Sequence, residues 1–195
     1  MKEIIVASTN EGKIKEIRAM LNEIGIEVKS IKDVFEQDID IEENGKTFQE
    51  NAYIKAKTIC DMIDKPTLAD DSGLEVDALD GQPGIYSARF MGHDTSYDIK
   101  NQYIIDAVKG KQRGARFVCA MVLCVPNKEP IFIEEYFYGE INDKIEGENG
   151  FGYDPIFYVP ELHKTSAMLT LEEKNQYSHR AKALKKLYNI LKEEV

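Results

Sequence analysis

Two adjacent carboxylates, Asp70 and Asp71, follow a short apolar run and precede Ser72 and Gly73. At a separation of ~4 Å and an effective dielectric constant of ~20, two such charges repel by about 4 kcal/mol, so a buried pair needs a neutralising cation or proton. Carboxylate oxygens suit Mg²⁺, which completes its shell with water and substrate phosphate. This segment therefore predicts metal-assisted phosphate chemistry. The alternative is a solvated turn, because Asp, Ser and Gly are common turn residues.

A polar loop separates a predicted strand over residues 3–7 from a helix that Ile14, Ile17 and Leu21 predict by their spacing. The free N–H groups at the amino end of a helix favour anions, so this loop is a candidate phosphate site. It lacks the spacing of a Walker motif, and an ordinary capped helix is the alternative. The loop residues are Ser8, Thr9, Asn10, Glu11, Gly12 and Lys13.

Three further polar clusters interrupt the apolar framework. Glu42 and Glu43 precede Gly45 and could complete a coordination shell begun by the two aspartates, although an exposed acidic loop would look the same. A glycine-rich segment over 147–155 offers aromatic faces for a base and an acid for its N–H groups, or else a turn with packed aromatic rings. A third cluster, over residues 173–180, offers cations before the last helix. Ser178 could instead act there as a simple helix cap.

Composition limits the possible functions. The 195 residues suit one domain over 1–195, and the formal charge of −10 argues against a nucleic acid polymer as partner. No apolar run approaches the ~18 to 20 residues of a membrane span, and the first apolar run is shorter than the apolar region of a secretory signal, which has ~7 to 15 residues, so a cytoplasmic protein is expected. Three cysteines without CxxC spacing, Cys60, Cys119 and Cys124, predict buried thiols.

The remaining pattern predicts the elements that position these clusters. A helix begins after Thr47, with Glu50 completing a capping box, and ends at Pro66. A short strand over 67–69 then delivers the two aspartates to its exit. A helix over 97–108, a strand hairpin over 117–125 and 131–138, and a last helix after Arg180 follow. These elements predict an α/β fold with a mixed sheet.

Six strings in this order resemble the signatures of the inosine/xanthosine triphosphate pyrophosphatase family, and the resemblance runs from about residue 4 to residue 191. The strings are Ser8–Lys13, Thr47–Ala52, Ala69–Leu74, Pro83–Arg89, Gly150–Pro155 and Ser178–Arg180. Asn149 departs from the pattern, since many relatives have a glycine there. The resemblance implies an elongated mixed sheet flanked by helices, with two lobes around a central substrate cleft, and a homodimer.

The resemblance also implies Mg²⁺-dependent hydrolysis of ITP, dITP and XTP to the monophosphate and pyrophosphate. Asp71 would be the general base and a Mg²⁺ ligand, and Glu43 the second ligand, with Glu42 left open. The alternatives are a pyrophosphatase for another modified nucleotide and a nucleotide-sensing module without turnover. The substrate-binding residues implied are Ser8, Thr9, Asn10, Glu11, Gly12, Lys13, Ser72, Phe151, Gly152, Tyr153, Asp154, Lys174, His179 and Arg180.

Overall fold

A computed structural model describes residues 1–37 and 39–193. Its strands form one mixed sheet in the order β2-β1-β3-β4-β5-β6-β7, with β1 parallel to β2 and β3, and β6 antiparallel to β5 and β7. The expected α/β class with a mixed sheet is confirmed. The strands are β1 (Glu3–Val6), β2 (Glu27–Ser30), β3 (Thr67–Val76), β4 (Gly114–Cys124), β5 (Ile131–Ile141), β6 (Phe157–Val159) and β7 (Lys164–Thr165).

The α-helices in the described part of the chain match the predicted ones except at the start of the last helix, and they include one short helix that was not predicted. They are α1 (Glu11–Asn22), α2 (Phe48–Ile63), α3 (Tyr97–Ala107), α4 (Leu171–Tyr177) and α5 (His179–Glu193). No helix among the described residues is both long and apolar enough to span a membrane. The three cysteines are free and buried, as predicted.

The chain forms two compact units, which we describe separately. The described residues of Met1–Asp71, Cys119–Glu135 and Arg180–Val195 form the first, and Ser72–Val118 and Tyr136–His179 form the second. In the first unit the core joins Ile17 and Leu21 of α1 to Leu184 and Leu187 of α5. In the second, Ile104 of α3 shares a core with Phe117 and Phe157. Removal of these apolar side chains from water stabilises each unit.

The start of α2 confirms the predicted cap and changes one of its contacts. Thr47 Oγ1 accepts a hydrogen bond from the backbone N–H of Glu50 at 3.1 Å. The Glu50 carboxylate accepts from the N–H of Lys46 at 2.6 Å, one residue earlier than a capping box requires. The helix ends at Ile63, before Pro66, because Asp64 adopts a left-handed backbone conformation with φ of 51°.

The prediction of a short strand ending before the aspartates was wrong. Strand β3 covers ten residues, so Asp70, Asp71, Ser72 and Gly73 lie within it and form no turn. A carboxylate normally disfavours a buried strand because burial without a partner is costly. Here distant cations balance the charge of Asp70, as described below, and the strand continues through both acids.

The prediction that the His-Arg pair precedes the last helix also needs correction. His179 and Arg180 are the first two residues of α5, and both are buried. Lys174 lies on α4, whose start is a capping box between Thr170 and Glu173. Since α4 has only seven residues, its apolar periodicity is too brief to predict it from the sequence.

Candidate functional site

Asp70 is paired with two cations in the first unit. Its Oδ2 lies 3.1 Å from Nζ of Lys13 and 3.2 Å from Nη2 of Arg180, and the residue is 1% exposed. Arg180 also contacts Glu16 at 2.6 Å through Nη1. Burial lowers the pKa of Arg180, but Asp70 and Glu16 together raise it above its ordinary value. Asp70 therefore acts as a counter-ion that holds Lys13 and Arg180 in place.

Asp71 belongs to a second cluster in the same unit, together with Glu43. Lys55 Nζ lies 3.3 Å from Oε1 of Glu43 and 3.7 Å from Oδ1 of Asp71, so both carboxylates face one ammonium group. The exposed fraction of Asp71 is 8%. Glu43 is partly buried whereas Glu42 is exposed, which favours Glu43 as the partner of Asp71.

The environment of Asp71 makes its carboxyl group harder to ionise than that of an ordinary aspartate. Burial raises the pKa of Asp71, and the charge of Glu43 raises it further, against the opposing effects of Lys55 and Lys13. A carboxylate whose pKa is moved toward the working pH is a better general base than an ordinary aspartate. This electrostatic environment suits the catalytic role predicted for Asp71.

Asn51 joins the two acidic segments. This fully buried residue of α2 donates from Nδ2 to Oδ2 of Asp71 at 3.2 Å and accepts at Oδ1 from the N–H of Gly45 at 2.9 Å. A Cβ atom on Gly45 would lie 2.7 Å from that Oδ1, so only glycine fits there. The segment that carries Glu43 is thereby tied to strand β3.

The donor set of Glu43 and Asp71 fits a magnesium ion. Mg²⁺ in nucleotide enzymes is commonly held by one or two carboxylates, with water and phosphate oxygens in its other positions. Within residues 1–37 and 39–193 no cluster of three or more His, Cys, Asp or Glu side chains could hold a metal. The two carboxylates that share Lys55 agree with the small number of protein ligands in such a magnesium site.

The loop before α1 contains the predicted helix cap as well as its lysine. Asn10 Oδ1 accepts from the N–H of Lys13 at 3.1 Å, and Ser8 Oγ accepts from the N–H of Asn10 at 3.2 Å. Thr9 and Glu11 are exposed, and Gly12 is partly buried. The capping interpretation thus holds for Asn10, and the phosphate-binding role of this loop stays a prediction.

Asp154 is the centre of a buried cluster in the second unit. Its Oδ1 accepts from the hydroxyl of Ser166 at 2.7 Å. Its Oδ2 accepts from Lys174 Nζ at 2.7 Å and from the N–H of Phe151 at 2.8 Å. The contact with Phe151 fixes the glycine-rich loop, so Asp154 has an organising role besides any contact with a base.

Phe151 and Tyr153 have different environments. Phe151 is 39% exposed, and Lys174 Nζ lies 5.1 Å from its ring centroid, which is a cation–π contact. Tyr153 is buried, its ring meets Tyr97 edge to face, and its hydroxyl donates to the carbonyl of Ser87. Burial raises the pKa of Tyr153 well above its ordinary value. Of the two rings, only Phe151 offers an exposed face to a base.

His179 and Ser72 are also placed by the structure. The His179 ring stacks on Phe117 with centroids 5.0 Å apart and an angle of 13° between the planes. The ring is therefore buried against the core, and the predicted contact of His179 with substrate stays a prediction. Ser72 is partly buried in β3, directly after Asp71.

Sequence reasoning missed four residues of these clusters: Glu16, Asn51, Lys55 and Ser166. A signal existed for Asn51 and Lys55, which lie four residues apart and therefore on one face of α2, beside the buried Ala52 and Ala56. Polar residues next to a buried stripe can indicate a site. Glu16 and Ser166 carry no comparable signal, since each meets a partner that is distant along the chain or in another segment.

Comparison with known proteins gives one consistent result. A dITP/XTP pyrophosphatase of Bacillus licheniformis is 47% identical over 195 residues, covering 98% of both chains. The Bacillus subtilis dITP/XTP pyrophosphatase is 44% identical over 194 residues, again covering 98% of each. The Ham1 protein structure of Staphylococcus aureus matches with a TM-score of 0.91 at 42% identity over 100% of both chains. A family model described as the Ham1 family matches residues 4–190, and the chain therefore belongs to the Ham1 family.

Proposed function

We propose that this chain hydrolyses the deaminated purine nucleoside triphosphates ITP, dITP and XTP to the monophosphate and pyrophosphate. The relatives from Bacillus licheniformis and Bacillus subtilis are named dITP/XTP pyrophosphatases. The observation that carries the proposal is the convergence of Glu43 and Asp71 on one ammonium group, in a unit that also presents Lys13. Such a grouping suits the cleavage of a phosphoanhydride bond.

Glu43 and Asp71 would hold the magnesium ion. When bound there, Mg²⁺ would neutralise part of the negative charge that develops on the pyrophosphate leaving group. Asp71 removes a proton from the attacking water, and its raised pKa makes it a stronger base for this step. Asn51 keeps Oδ2 of Asp71 oriented by its hydrogen bond. Lys55 is the ammonium group that these carboxylates face, and it can turn toward a phosphate oxygen.

Phosphate and base recognition are assigned to the remaining predicted residues. The loop from Ser8 to Lys13 would bind the triphosphate through its backbone N–H groups and the lysine. Phe151 would stack on the purine through its exposed face. Donors aimed at the 6-oxo group would reject adenine, which presents an amino group there and would leave buried donors unpaired.

We also propose a cytoplasmic homodimer, because the substrates are nucleotides and the second unit exposes large apolar side chains. Tyr86, Ile99 and Tyr103 are each 50% or more exposed, and Ile99 and Tyr103 lie one turn apart on α3, where exposed apolar side chains favour association. Sedimentation equilibrium should give twice the mass of the 22.2 kDa chain. Ile99→Glu should shift the mass toward that of the single chain, and a wild-type chain of single mass would contradict the proposal.

The enzymatic activity is tested by pyrophosphate release from ITP, XTP, dITP, GTP and ATP at equal concentration, with Mg²⁺ and with a chelator. Release confined mainly to ITP, XTP and dITP, and abolished by the chelator, is expected. Glu43→Gln should lose activity with Mg²⁺, whereas Glu42→Gln, the matched neighbour, should retain it. Release of single phosphates would contradict the proposed reaction. Equal rates with GTP and ATP would contradict the proposed substrate class. Binding of ITP without turnover would favour a sensing module.

A further inference from the structure

One face of helix α3 contacts the loop that carries Phe151. Asn101 is 1% exposed, and its Nδ2 donates a hydrogen bond to the carbonyl of Gly152 at 3.1 Å. Because a carbonyl can only accept, this contact fixes which end of the Asn101 amide points at the loop. Tyr97, four residues earlier and on the same face of α3, packs over Gly152, where an added Cβ would lie 3.5 Å from its ring.

The loop is held on the other side of Phe151 by a different residue. The N–H of Phe151 donates to Asp154 Oδ2 at 2.8 Å. The backbone from the nitrogen of Phe151 to the carbonyl of Gly152 is therefore anchored at both ends, by Asp154 and by Asn101. The anchored stretch includes the Cα atom that directs the Phe151 side chain, and Gly152 within it has a φ of 68°, which other residues rarely adopt.

The second polar atom of the same amide gives an independent indication. Asn101 Oδ1 is buried and accepts no hydrogen bond from any residue in the described part of the chain. A leucine has nearly the same shape and would avoid that unsatisfied acceptor, so packing alone does not favour asparagine here. The feature that only the asparagine provides is the N–H donated to Gly152.

We propose that Asn101 is a positioning residue for the aromatic platform of Phe151. It acts through the Gly152 carbonyl and sets the direction in which the Phe151 ring faces a purine base. The proposal rests on the function proposed above, in which Phe151 stacks on the base. Replacing Asn101 should weaken substrate binding by the equivalent of one lost hydrogen bond. The expected result is a rise in KM of about 2- to 13-fold with kcat little changed.

The test uses the absence of tryptophan from the chain. Phe151→Trp places a single fluorescent reporter on the platform, and its emission and anisotropy report the platform without any substrate. Adding Asn101→Leu to that variant should shift the emission to longer wavelength and lower the anisotropy, because the loop loses one anchor. Asn101→Ser, whose hydroxyl is too short to reach Gly152, should do the same if the leucine variant fails to fold.

Val108→Ala is the matched control, because Val108 is a fully buried residue just beyond the end of α3 in the same unit. Val108→Ala should lower the melting temperature. It should leave the tryptophan fluorescence of the Phe151→Trp variant and the KM for XTP and dITP unchanged. Unchanged fluorescence in both Asn101 variants, or a KM no higher than that of Val108→Ala, would overturn the proposal. A fluorescence shift in a protein that releases no pyrophosphate supports the positioning role and refutes only the proposed substrates.

Discussion

Asn51 donates a hydrogen bond to Asp71 at 3.2 Å, from an amide whose oxygen also accepts from the backbone of the acidic segment. The side chain of one buried asparagine therefore ties Asp71 to the backbone of the segment that carries Glu43. This gives the helix α2 a direct role in the site, beyond supporting the sheet.

Replacing Asn51 should reduce both activity and stability. Asn51→Ala leaves the Gly45 N–H and an Asp71 oxygen without their partners, which should cost about 1 to 3 kcal/mol in the free energy of unfolding. Asn51→Asp keeps an acceptor for Gly45 but adds a like charge beside Asp71, so it should lose more activity. Urea denaturation and steady-state kinetics check both effects, with the exposed Gln49→Ala of the same helix as control. Wild-type activity in Asn51→Asp would contradict the assignment.

Asp71→Asn should abolish turnover and yet stabilise the fold. Burial and the charge of Glu43 raise the pKa of Asp71, so the folded protein holds this proton more tightly than the unfolded chain. The stability contributed by Asp71 is therefore present below its unfolded pKa of about 3.9 and is lost as pH rises through the higher folded pKa. The asparagine does not titrate and avoids that loss.

Melting curves from pH 4 to pH 8 in a chelator measure this difference. The advantage of Asp71→Asn over the wild type should grow as pH rises and then become constant. Mg²⁺ should raise the melting temperature of the wild type and have little effect on the variant, because binding to the folded state stabilises it. A variant less stable than the wild type at pH 8, or one with substantial turnover, would refute the role of Asp71.

Separating Lys174 from Asp154 should strongly destabilise the second unit. Lys174→Met leaves the carboxylate of Asp154 buried without its cation, which typically costs about 3 to 5 kcal/mol. The double variant with Asp154→Asn should lose less than the sum of the two single changes, since neither charge then remains. Denaturation of the four proteins gives the coupling free energy directly. Strict additivity would show that the pair contributes nothing.

The buried thiols should be unreactive in the folded protein. Burial raises the pKa of Cys124 to about 11 and also raises that of Cys60. At pH 8 only roughly one in a thousand Cys124 side chains is a thiolate, so its reaction with a disulfide reagent should be slow and should accelerate up to about pH 11. The double variant Cys60→Ser, Cys119→Ser isolates Cys124. A rate at pH 8 equal to that in guanidinium would contradict the prediction.

Local signals in the sequence were reliable where the interaction itself is local. The cap at Thr47 joins residues three apart, so its pattern can be recognised in a few residues. The predicted length of β3 was wrong because its acids are balanced by Lys13 and Arg180, and Arg180 lies 110 residues from Asp70 along the chain. No short segment contains that information.

The candidate site shows the same limit. The residue types of Asp70 and Asp71 indicated a metal from the sequence, and the family resemblance implied Glu43 as a second ligand. The structure adds the contact that Asp71 and Glu43 share with Lys55. The different burial of Phe151 and Tyr153 could not be predicted from the sequence. Nothing in the order Phe151-Gly152-Tyr153 shows that the ring of Tyr153 is buried against Tyr97. Their roles as substrate contacts remain predictions.

The pairing of Arg180 with Asp70 and Glu16 also bears on synthesis of the chain. A ribosome that has completed residues 1 to 150 has made Asp70, Glu16 and Lys13, but it has not yet made Arg180, which contacts both carboxylates. The first unit draws on three stretches of sequence, and the last of them begins at Arg180. This charge network can therefore form only after the start of α5 has been translated. Until then, Asp70 of β3 lacks one of its two cationic partners.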